Sequence, residues 1–439
     1  DMEKASKQDL EMLKKLVMEF KDELDALGVK VDGIDKRVAV LEDRLGGWKL
    51  RGLFVFDAAF GGGDNQGAYT NRGQNNEFRK EKFRLFLSKQ IDENTSFYAQ
   101  YRTGAYSFGA AGGLGEKNTS SKWSHLYVDT KLAYDVAFRV GRFANDFEGD
   151  YGLYNDADAM FGDYRLDGFQ FKKSWGMLNA TAIIGRNTAR DSRAGVTFTD
   201  ETRYQFEADA TGAYMNYILD LNFQPNEKFF VGATGYWMHG DGDVTATWLT
   251  GDFDNPVKVT ENRAAQDFNT YGIYAGFHFN PAVSLKGIYY FQQLDWLRGG
   301  GDDPKAWKVM LDVKQDLLKF TSLWIEYAQE DNNFFAGPDR YNLDTSSNPT
   351  IRANRPINTN SAKYIFVKAD QKWNDKWNTF LRYAYADFDT AGVADGTEWG
   401  AGVGYQYNPA MKFQLMYDNV DNGNNNTDHV VLFRTSVSF

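Results

Sequence analysis

One segment of the chain contains several charged side chains, and their types and spacing suit an electrostatic interaction with a dissolved molecule or ion. Between Gly141 and Asp163 the candidates are Arg142, Asp146, Glu148, Asp150, Asp156 and Asp158. Basic residues of one parity in neighbouring segments are expected to face these carboxylates, namely Arg51, Lys82, Arg84, Arg102 and Arg139. Opposed charges across a narrow polar passage would set up a transverse field and filter solutes by size and charge. The alternative is an acidic loop that lies in solvent.

Catalytic chemistry has little support in this sequence. The chain has no Cys, and its four His residues are scattered without an HExxH or GxSxG motif. Ser124 and His125 are neighbours, so in a strand their side chains are expected to point to opposite faces. We therefore expect no enzyme, no metal site and no cofactor. The net charge of -11 also argues against nucleic acid as a partner.

Composition favours a membrane β-barrel for most of the chain. Aromatic residues make up 16% and Gly is abundant, yet no run approaches the roughly 18 apolar residues that a transmembrane helix needs. Many aromatics with a low mean hydropathy (-0.55) fit a barrel, because only alternate residues face lipid. A large soluble β-protein has a similar composition, so this alternative stays open here.

Short turns alternate with long polar loops from Trp48 onwards. We predict short turns at Asp92-Glu93-Asn94, Ala133-Tyr134-Asp135, Ser174-Trp175-Gly176, Pro225-Asn226-Glu227, Asn280-Pro281-Ala282, Leu317-Leu318-Lys319, Asn374-Asp375-Lys376 and Asn408-Pro409-Ala410. Longer segments rich in Gly, Asp and Asn separate them, such as 61–77, 142–163, 240–267 and 332–361. This asymmetry is typical of bacterial outer-membrane barrels. Eight turns and nine loops predict an all-β, antiparallel transmembrane barrel of 18 strands, with 16 as the alternative.

Aromatic residues lie beside the predicted turns, as a membrane-interface girdle requires. They are Trp48, Phe97, Tyr134, Trp175, Phe223, Phe229, Trp373, Trp377 and Tyr407. The last predicted strand ends on Phe439 with Val431, Phe433, Thr435 and Val437 on the same face. This ending resembles the C-terminal signal that the barrel-assembly machinery recognises. An even strand number also places Phe439 on the side of the membrane where residue 48 enters.

Residues 1–47 carry a different, helical pattern. Apolar residues alternate at spacings of three and four from Leu10 to Leu45, which predicts a parallel coiled coil. Its central core positions include Leu24, Leu27, Val31 and Ile34. Gly46 and Gly47 are expected to end the helix. The predicted domains are therefore a coiled-coil stalk over 1–47 and a barrel over 48–439.

A short motif within the coil bears on the number of helices. Arg37, Val38, Leu41 and Glu42 have the spacing of a trimerisation motif, in which Arg and Glu pair between helices over the apolar core. An ordinary solvated helix surface is the alternative. We predict a homotrimer.

Taken together, the coil, the double glycine, the Val-Gly-Arg sequence at 140–142 and the terminal Phe resemble the OmpM family of outer-membrane porins. The resemblance implies a general diffusion channel for small hydrophilic solutes and ions, whose third loop folds inward. It also implies a periplasmic stalk, linked to an S-layer-homology domain that binds peptidoglycan and is absent from this chain. The alternative is a mainly structural outer-membrane tether with a closed or plugged barrel.

Overall fold

The computed structural model describes Lys15 and residues 46–64, 75–103, 106–107, 122–155, 159–187, 213–241, 243–250, 257–264, 267–294, 303–319, 321–331, 334, 361–389, 394–423 and 427–439. The predicted coiled coil and its trimerisation motif therefore lie outside the described residues, apart from Lys15. Asp156 and Asp158 lie outside them as well.

The described residues are almost entirely β-strand. In chain order the strands are β1 Trp48–Gly63, β2 Asn76–Gln90, β3 Thr95–Thr103, β4 Tyr106–Ser107, β5 Lys122–Leu132, β6 Val136–Asn145, β7 Tyr164–Trp175, β8 Leu178–Asn187, β9 Ala213–Asn226, β10 Phe229–Asp241, β11 Asp243–Thr250, β12 Val257–Ala264, β13 Phe268–Asn280, β14 Val283–Leu294, β15 Lys305–Val313, β16 Ser322–Asp331, β17 Ser361–Lys372, β18 Trp377–Phe388, β19 Gly396–Asn408, β20 Met411–Asp421 and β21 Thr427–Ser438. Two short helices are α1 Phe147–Asp150 and α2 Gln315–Leu318, and a 3-10 turn spans Ala133–Asp135. No helix among these residues is long and apolar enough to cross a membrane.

Within the described part of the chain, 18 of these strands form one closed antiparallel barrel. Each pairs with its neighbours in chain order, and β21 pairs with β1 to close the sheet. The two-residue β4 pairs only with β2, and β11 and β12 form a separate hairpin. The predicted antiparallel barrel is confirmed, with the higher of the two predicted strand numbers.

All eight short connections fall where the sequence predicted them, because their geometry is encoded locally. At three of them an Asn side chain accepts hydrogen bonds from the backbone N–H groups two and three residues later. Asn226 accepts from Lys228 and Phe229 at 2.8 and 3.0 Å, and Asn374 and Asn408 repeat the pattern. These connections define the turn end of the barrel, and the longer loops define its loop end.

The alternation along the strands runs apolar outward and polar inward. On β9, Leu219, Leu221 and Phe223 are 38%, 40% and 43% exposed, whereas Asp220 and Asn222 between them are buried. A soluble sandwich would have the opposite polarity, with its apolar side chains inside. The exposed apolar belt therefore favours the membrane barrel over the soluble alternative.

The first and last strands are joined by side chains as well as by their backbones. Arg434 donates two hydrogen bonds of 2.7 Å to the carboxylate of Asp57 inside the barrel. At the turn end, the N–H of Phe439 donates to the carbonyl of Gly52, and the Phe439 ring lies over this glycine. A Cβ at position 52 would stand 2.2 Å from that ring, so this contact requires Gly. The last residue is thus part of the barrel seam.

Candidate functional site

The loop between β6 and β7, described at residues 146–155 and 159–163 and called L3 below, folds into the barrel. Asp146 begins its short helix α1 by accepting a 2.8 Å hydrogen bond from the N–H of Gly149. The hydroxyl of Tyr154 donates to the other carboxylate oxygen of Asp146 at 2.5 Å. Burial raises the pKa of the Asp146 carboxyl, and these two hydrogen bonds partly offset the effect.

Apolar side chains of L3 form a core inside the barrel. Leu153, Met160 and Phe161 are at most 1% exposed. The ring of Phe161 lies 4.8 Å from that of Tyr236 on β10 and 5.7 Å from that of Tyr290 on β14. This packing fixes L3 against one side of the barrel wall.

A buried ion pair joins L3 to the same side. Glu148 Oε2 lies 2.6 Å from Lys308 Nζ on β15, and both side chains are fully buried. Glu148 Oε1 accepts hydrogen bonds of 3.0 Å from the Tyr290 hydroxyl and from the N–H of Phe161. A buried carboxylate needs such compensation, because an unpaired charge in the interior is strongly destabilising.

Further polar contacts continue this attachment along L3. The Tyr151 hydroxyl donates to Asp220 on β9 at 2.7 Å, and Asp220 also accepts from Tyr274 on β13. Lys286 on β14 donates to the carbonyl of Gly152 at 2.9 Å. Lys368 on β17 donates to the side chain of Asn155 at 2.7 Å. We call the wall from β9 to β17 the held side of the barrel.

A cavity of about 270 Å³ separates L3 from the opposite wall, formed by β3, β5, β6 and β7. Its lining residues are Tyr98, His125, Tyr127, Arg139, Ala144, Asn145, Asp146, Phe147, Asp150, Gln170 and Lys172. We call the wall from β1 to β7 the open side. The cavity therefore runs between charged side chains of the wall and carboxylates of L3.

Both signs of charge meet in this cavity. Lys172 Nζ lies 3.6 Å from Asp150 Oδ2. Arg139 makes two hydrogen bonds of 2.6 and 2.9 Å to Asp129, and its guanidinium group stacks on Tyr127 with 4.0 Å to the ring centroid. Such an arrangement can orient a dipolar solute and discriminate between ions.

The structure brings together only some of the residues singled out from the sequence. Arg139, Asp146 and Asp150 line the cavity. Arg84 and Arg102 stand opposite each other in the register of β2 and β3, and Lys82 stands opposite Val55. Arg51 lines a second, more open space of about 650 Å³ at the turn end.

Two of the predicted constriction residues, Glu148 and Arg142, do not face the cavity beside L3. Glu148 is buried against Lys308, so the expectation that it would face the basic residues of the first strands is wrong. Arg142 lies on the outward face of β6, because Arg139 and Phe143 face inward, and it makes two hydrogen bonds of 2.7 Å to Asp167. Neither pairing has a local signal in the sequence.

The side chains of Ser124 and His125 were expected on opposite faces of a strand, and this expectation is also wrong. Opposite Gln100 and Tyr101, β5 has one extra residue, and this bulge breaks the simple alternation. Ser124 Oγ therefore lies 3.2 Å from His125 Nδ1 and donates to Gln100 Oε1 at 2.8 Å. No group of three or more His, Asp or Glu residues in the described ranges could hold a metal ion.

Sequence reasoning missed two residues that matter here, Lys172 and Lys308. Lys172 has the same parity on β7 as the buried Gln170, so strand alternation could have placed it inside. Lys308 also alternates inward, but nothing near it in sequence indicates that it pairs with Glu148.

The fold is similar to solved outer-membrane channels. Against Pseudomonas aeruginosa OccK3 (OpdO) the TM-score is 0.53 at 13% identity, covering 89% of this chain and 96% of that one. A BenF-like porin from Pseudomonas fluorescens Pf-5 gives 0.53 at 12% identity, covering 89% and 98%. Pseudomonas aeruginosa OccD3 (OpdP) gives 0.50 at 14% identity, covering 90% and 91%.

No protein-family model matches this sequence, and no curated protein matches it either. At identities this low the structural likeness concerns the fold alone. The chain has the β-barrel fold of outer-membrane porins.

Proposed function

We propose that the protein is a porin of the bacterial outer membrane, a passive channel for small hydrophilic solutes and ions. The observation that carries this proposal is the cavity beside L3, where a loop held inside a closed barrel places Asp146 and Asp150 opposite Arg139 and Lys172. The exposed apolar belt supports insertion in a membrane. No chemical step is proposed for any residue of the cavity.

The sites assigned from the sequence fit this proposal in part. Arg139, Asp146 and Asp150, joined by Lys172, would form the constriction. Arg51, Lys82, Arg84 and Arg102 would line the wall beside it, and Phe439 would serve the barrel-assembly machinery as a recognition signal.

Conductance in a planar lipid bilayer tests the channel. We expect stable, ohmic single-channel steps from the purified protein. A barrel that carries no current at any voltage would favour the second candidate, a structural tether with a plugged lumen. The observation that favours this candidate is the apolar core of L3, which fills part of the barrel interior together with Phe334.

We also propose that the chain forms a homotrimer through a periplasmic coiled coil over residues 1–47. The heptad pattern and the motif around Arg37 and Glu42 support it. Deletion of residues 2–45 tests it: a trimer in detergent that becomes a monomer would support the role of the coil. An unchanged trimer would show that the barrels associate unaided.

The resemblance to the OmpM family extends the proposal to the cell wall. The stalk would connect the barrel to a peptidoglycan-binding S-layer-homology domain, so that the porin also tethers the outer membrane. A protein carrying that domain in front of residue 1 should sediment with purified peptidoglycan, whereas residues 1–439 alone should not.

A further inference from the structure

Aromatic side chains form a strip on the inner face of the open side. Tyr98 on β3 and Tyr127 on β5 are direct partners in the antiparallel register, and their ring centroids lie 5.2 Å apart. The His125 ring lies 6.0 Å from that of Tyr98 and 6.4 Å from that of Tyr127. All three residues line the cavity beside L3 and are only partly buried. The strip therefore presents aromatic surface to a solute in that cavity.

The strip continues from the cavity towards the turn end of the barrel. Tyr98 lines both the cavity beside L3 and the space of about 650 Å³ at the turn end. Phe86 on β2 lines the second space, and it is the diagonal neighbour of Tyr98 in the register of β2 and β3. A solute that moves along the open side therefore meets aromatic rings in both spaces.

Inward-facing tyrosines of the held side have a different environment. Tyr236, Tyr274 and Tyr290 are at most 1% exposed, because L3 packs against them. Tyr98 and Tyr127 keep part of their surface in the passage instead. Apolar ring surface that stays in contact with water costs free energy until another apolar group covers it. This contrast points to a solute as the group that covers the rings of the open side.

The polar groups of the same cavity suit a neutral solute rich in hydroxyl groups. Its lining contains two basic side chains, Arg139 and Lys172, and two carboxylates, Asp146 and Asp150, so the charges of the lining balance. Lys172 Nζ lies 3.6 Å from Asp150 Oδ2, beyond hydrogen-bonding distance, and the two side chains are 44% and 57% exposed. Neighbouring hydroxyl groups can accept a hydrogen bond from such an ammonium group and donate one to such a carboxylate.

We propose that the cavity beside L3 is a binding subsite for a neutral sugar, whose ring lies against Tyr98 and whose hydroxyl groups bind Lys172 and Asp150. Tyr98 is the ring of contact because the guanidinium group of Arg139 already stacks on Tyr127, 4.0 Å from its centroid. The proposal rests on the diffusion function proposed above and names its preferred class of solute.

A sugar ring fits both the chemistry and the size of this cavity. The C–H groups on its faces carry partial positive charge, which suits the negative face of an aromatic ring, and its hydroxyl groups donate and accept hydrogen bonds. The cavity volume of about 270 Å³ lies below the range of about 300 to 1,000 Å³ for pockets that hold drug-sized ligands. It therefore suits one sugar ring at a time.

Swelling of liposomes that contain the protein tests the preference during transport. At low concentration, a weak binding site raises the amount of solute in the passage and so its flux. Glucose should enter about twofold or more faster than sorbitol, an acyclic polyol of similar size that lacks a rigid apolar face. Tyr98→Leu should abolish this difference, whereas Tyr98→Phe should keep it. The matched control is Phe169→Leu, which removes an exposed aromatic ring from the outward face of β7 and should behave as the wild type. Equal rates in the wild type, or a glucose preference that survives in Tyr98→Leu, overturns the proposal.

Saturation-transfer NMR tests the subsite without transport, in a detergent that has no sugar headgroup. Glucose should receive magnetisation from the wild-type protein, and Tyr98→Leu should raise the Kd for glucose about threefold or more. Glucuronate, which has the same ring with a carboxylate, should bind no more tightly than glucose because the lining has no net charge. Tighter binding of glucuronate, or an unchanged Kd for glucose in Tyr98→Leu, overturns the subsite as proposed.

The two measurements separate this inference from the proposed function. A wild type that admits neither solute and carries no current, but binds glucose through Tyr98, would contradict the channel and keep the subsite. A wild type that conducts ions and admits glucose and sorbitol at equal rates, without binding glucose, would keep the channel and remove the subsite.

Discussion

The two sides of the barrel interior use inward-facing polar residues in different ways. On the held side, Asp220 accepts a hydrogen bond from Tyr151 of L3, and Lys308 forms an ion pair with Glu148 of L3. On the open side, Arg139 and Lys172 line a cavity and keep part of their surface accessible. The same strand alternation thus supplies a support for the loop on one side and a charged passage on the other.

The energetic consequences of the two arrangements differ. Breaking a fully buried ion pair leaves a charge without compensation and costs about 3 to 5 kcal/mol. A half-exposed pair such as Lys172 and Asp150 contributes about 0 to 1 kcal/mol, because water and salt screen it. Substitutions on the held side should therefore change stability, whereas those on the open side should change conduction.

The largest effect is expected from Lys308→Met, which leaves Glu148 buried without its partner. The free energy of unfolding should fall by about 3 to 5 kcal/mol, and L3 should leave the wall and give a larger, noisier conductance. Chemical unfolding in detergent and single-channel recording measure the two results. The matched control is the double variant Glu148→Gln and Lys308→Met, which removes both charges and should recover much of the stability. A single variant as stable as the wild type would contradict the role of this pair.

A smaller effect on the held side is expected from Asp220→Asn. The amide cannot accept as well from both Tyr151 and Tyr274, so the free energy of unfolding should fall by about 1 to 3 kcal/mol. Chemical unfolding measures it. Tyr151→Phe, which removes a single donor, is the control and should cost less than Asp220→Asn. An equal or larger loss in Tyr151→Phe would contradict the expectation that Asp220 stabilises the fold through both Tyr151 and Tyr274.

Asp150→Asn examines the open side. Removal of this L3 carboxylate should change the free energy of unfolding by less than about 1 kcal/mol, since the pair with Lys172 is partly exposed. In a KCl gradient at low salt, the reversal potential should shift in the direction that indicates a higher chloride-to-potassium permeability ratio. The shift should shrink at about 1 M salt, where the Debye length is about 3 Å. A stability loss as large as that of Lys308→Met would remove the distinction between the two sides.

The smallest effect is expected from mild acid, through Asp146. Because burial raises the pKa of this carboxyl, it takes up a proton at a higher pH than an ordinary Asp as the solution is acidified. The cavity then loses one negative charge, so the chloride-to-potassium permeability ratio should increase as the pH falls. Reversal potentials from pH 7 to pH 4 measure this, and Asp146→Asn should remove the acid-dependent part. A fall in the chloride-to-potassium permeability ratio in acid would contradict the assignment of Asp146 to the conducting cavity.

Most of the barrel could be predicted from the sequence because its signals are local. Asn226, Asn374 and Asn408 fix their turns with their own side chains, and the spacing between turns gives the strand number. Alternation within a strand also assigned Arg139 to the interior correctly. These features need only a few neighbouring residues to be recognised.

The errors in the site arise where partners are distant or the alternation is broken. Glu148 meets Lys308 only because the barrel closes, and no short motif reports that contact. Ser124 departs from the expected alternation because β5 contains a bulge, which depends on its pairing with β3. Arg142 is a different case, because it makes two hydrogen bonds to Asp167 on the outward face and strand alternation counted from Arg139 could have placed it there.

The contact between Glu148 and Lys308 also constrains the order in which the molecule is assembled. Glu148 follows the fifth barrel strand, whereas Lys308 belongs to the twelfth. Until β15 has been added, Glu148 lacks the cation that it pairs with in the complete barrel, and its burial without that partner costs several kcal/mol. We therefore expect L3 to dock only after β15 is in place. On this expectation the lumen narrows late in folding, when twelve of the eighteen barrel strands are already in place.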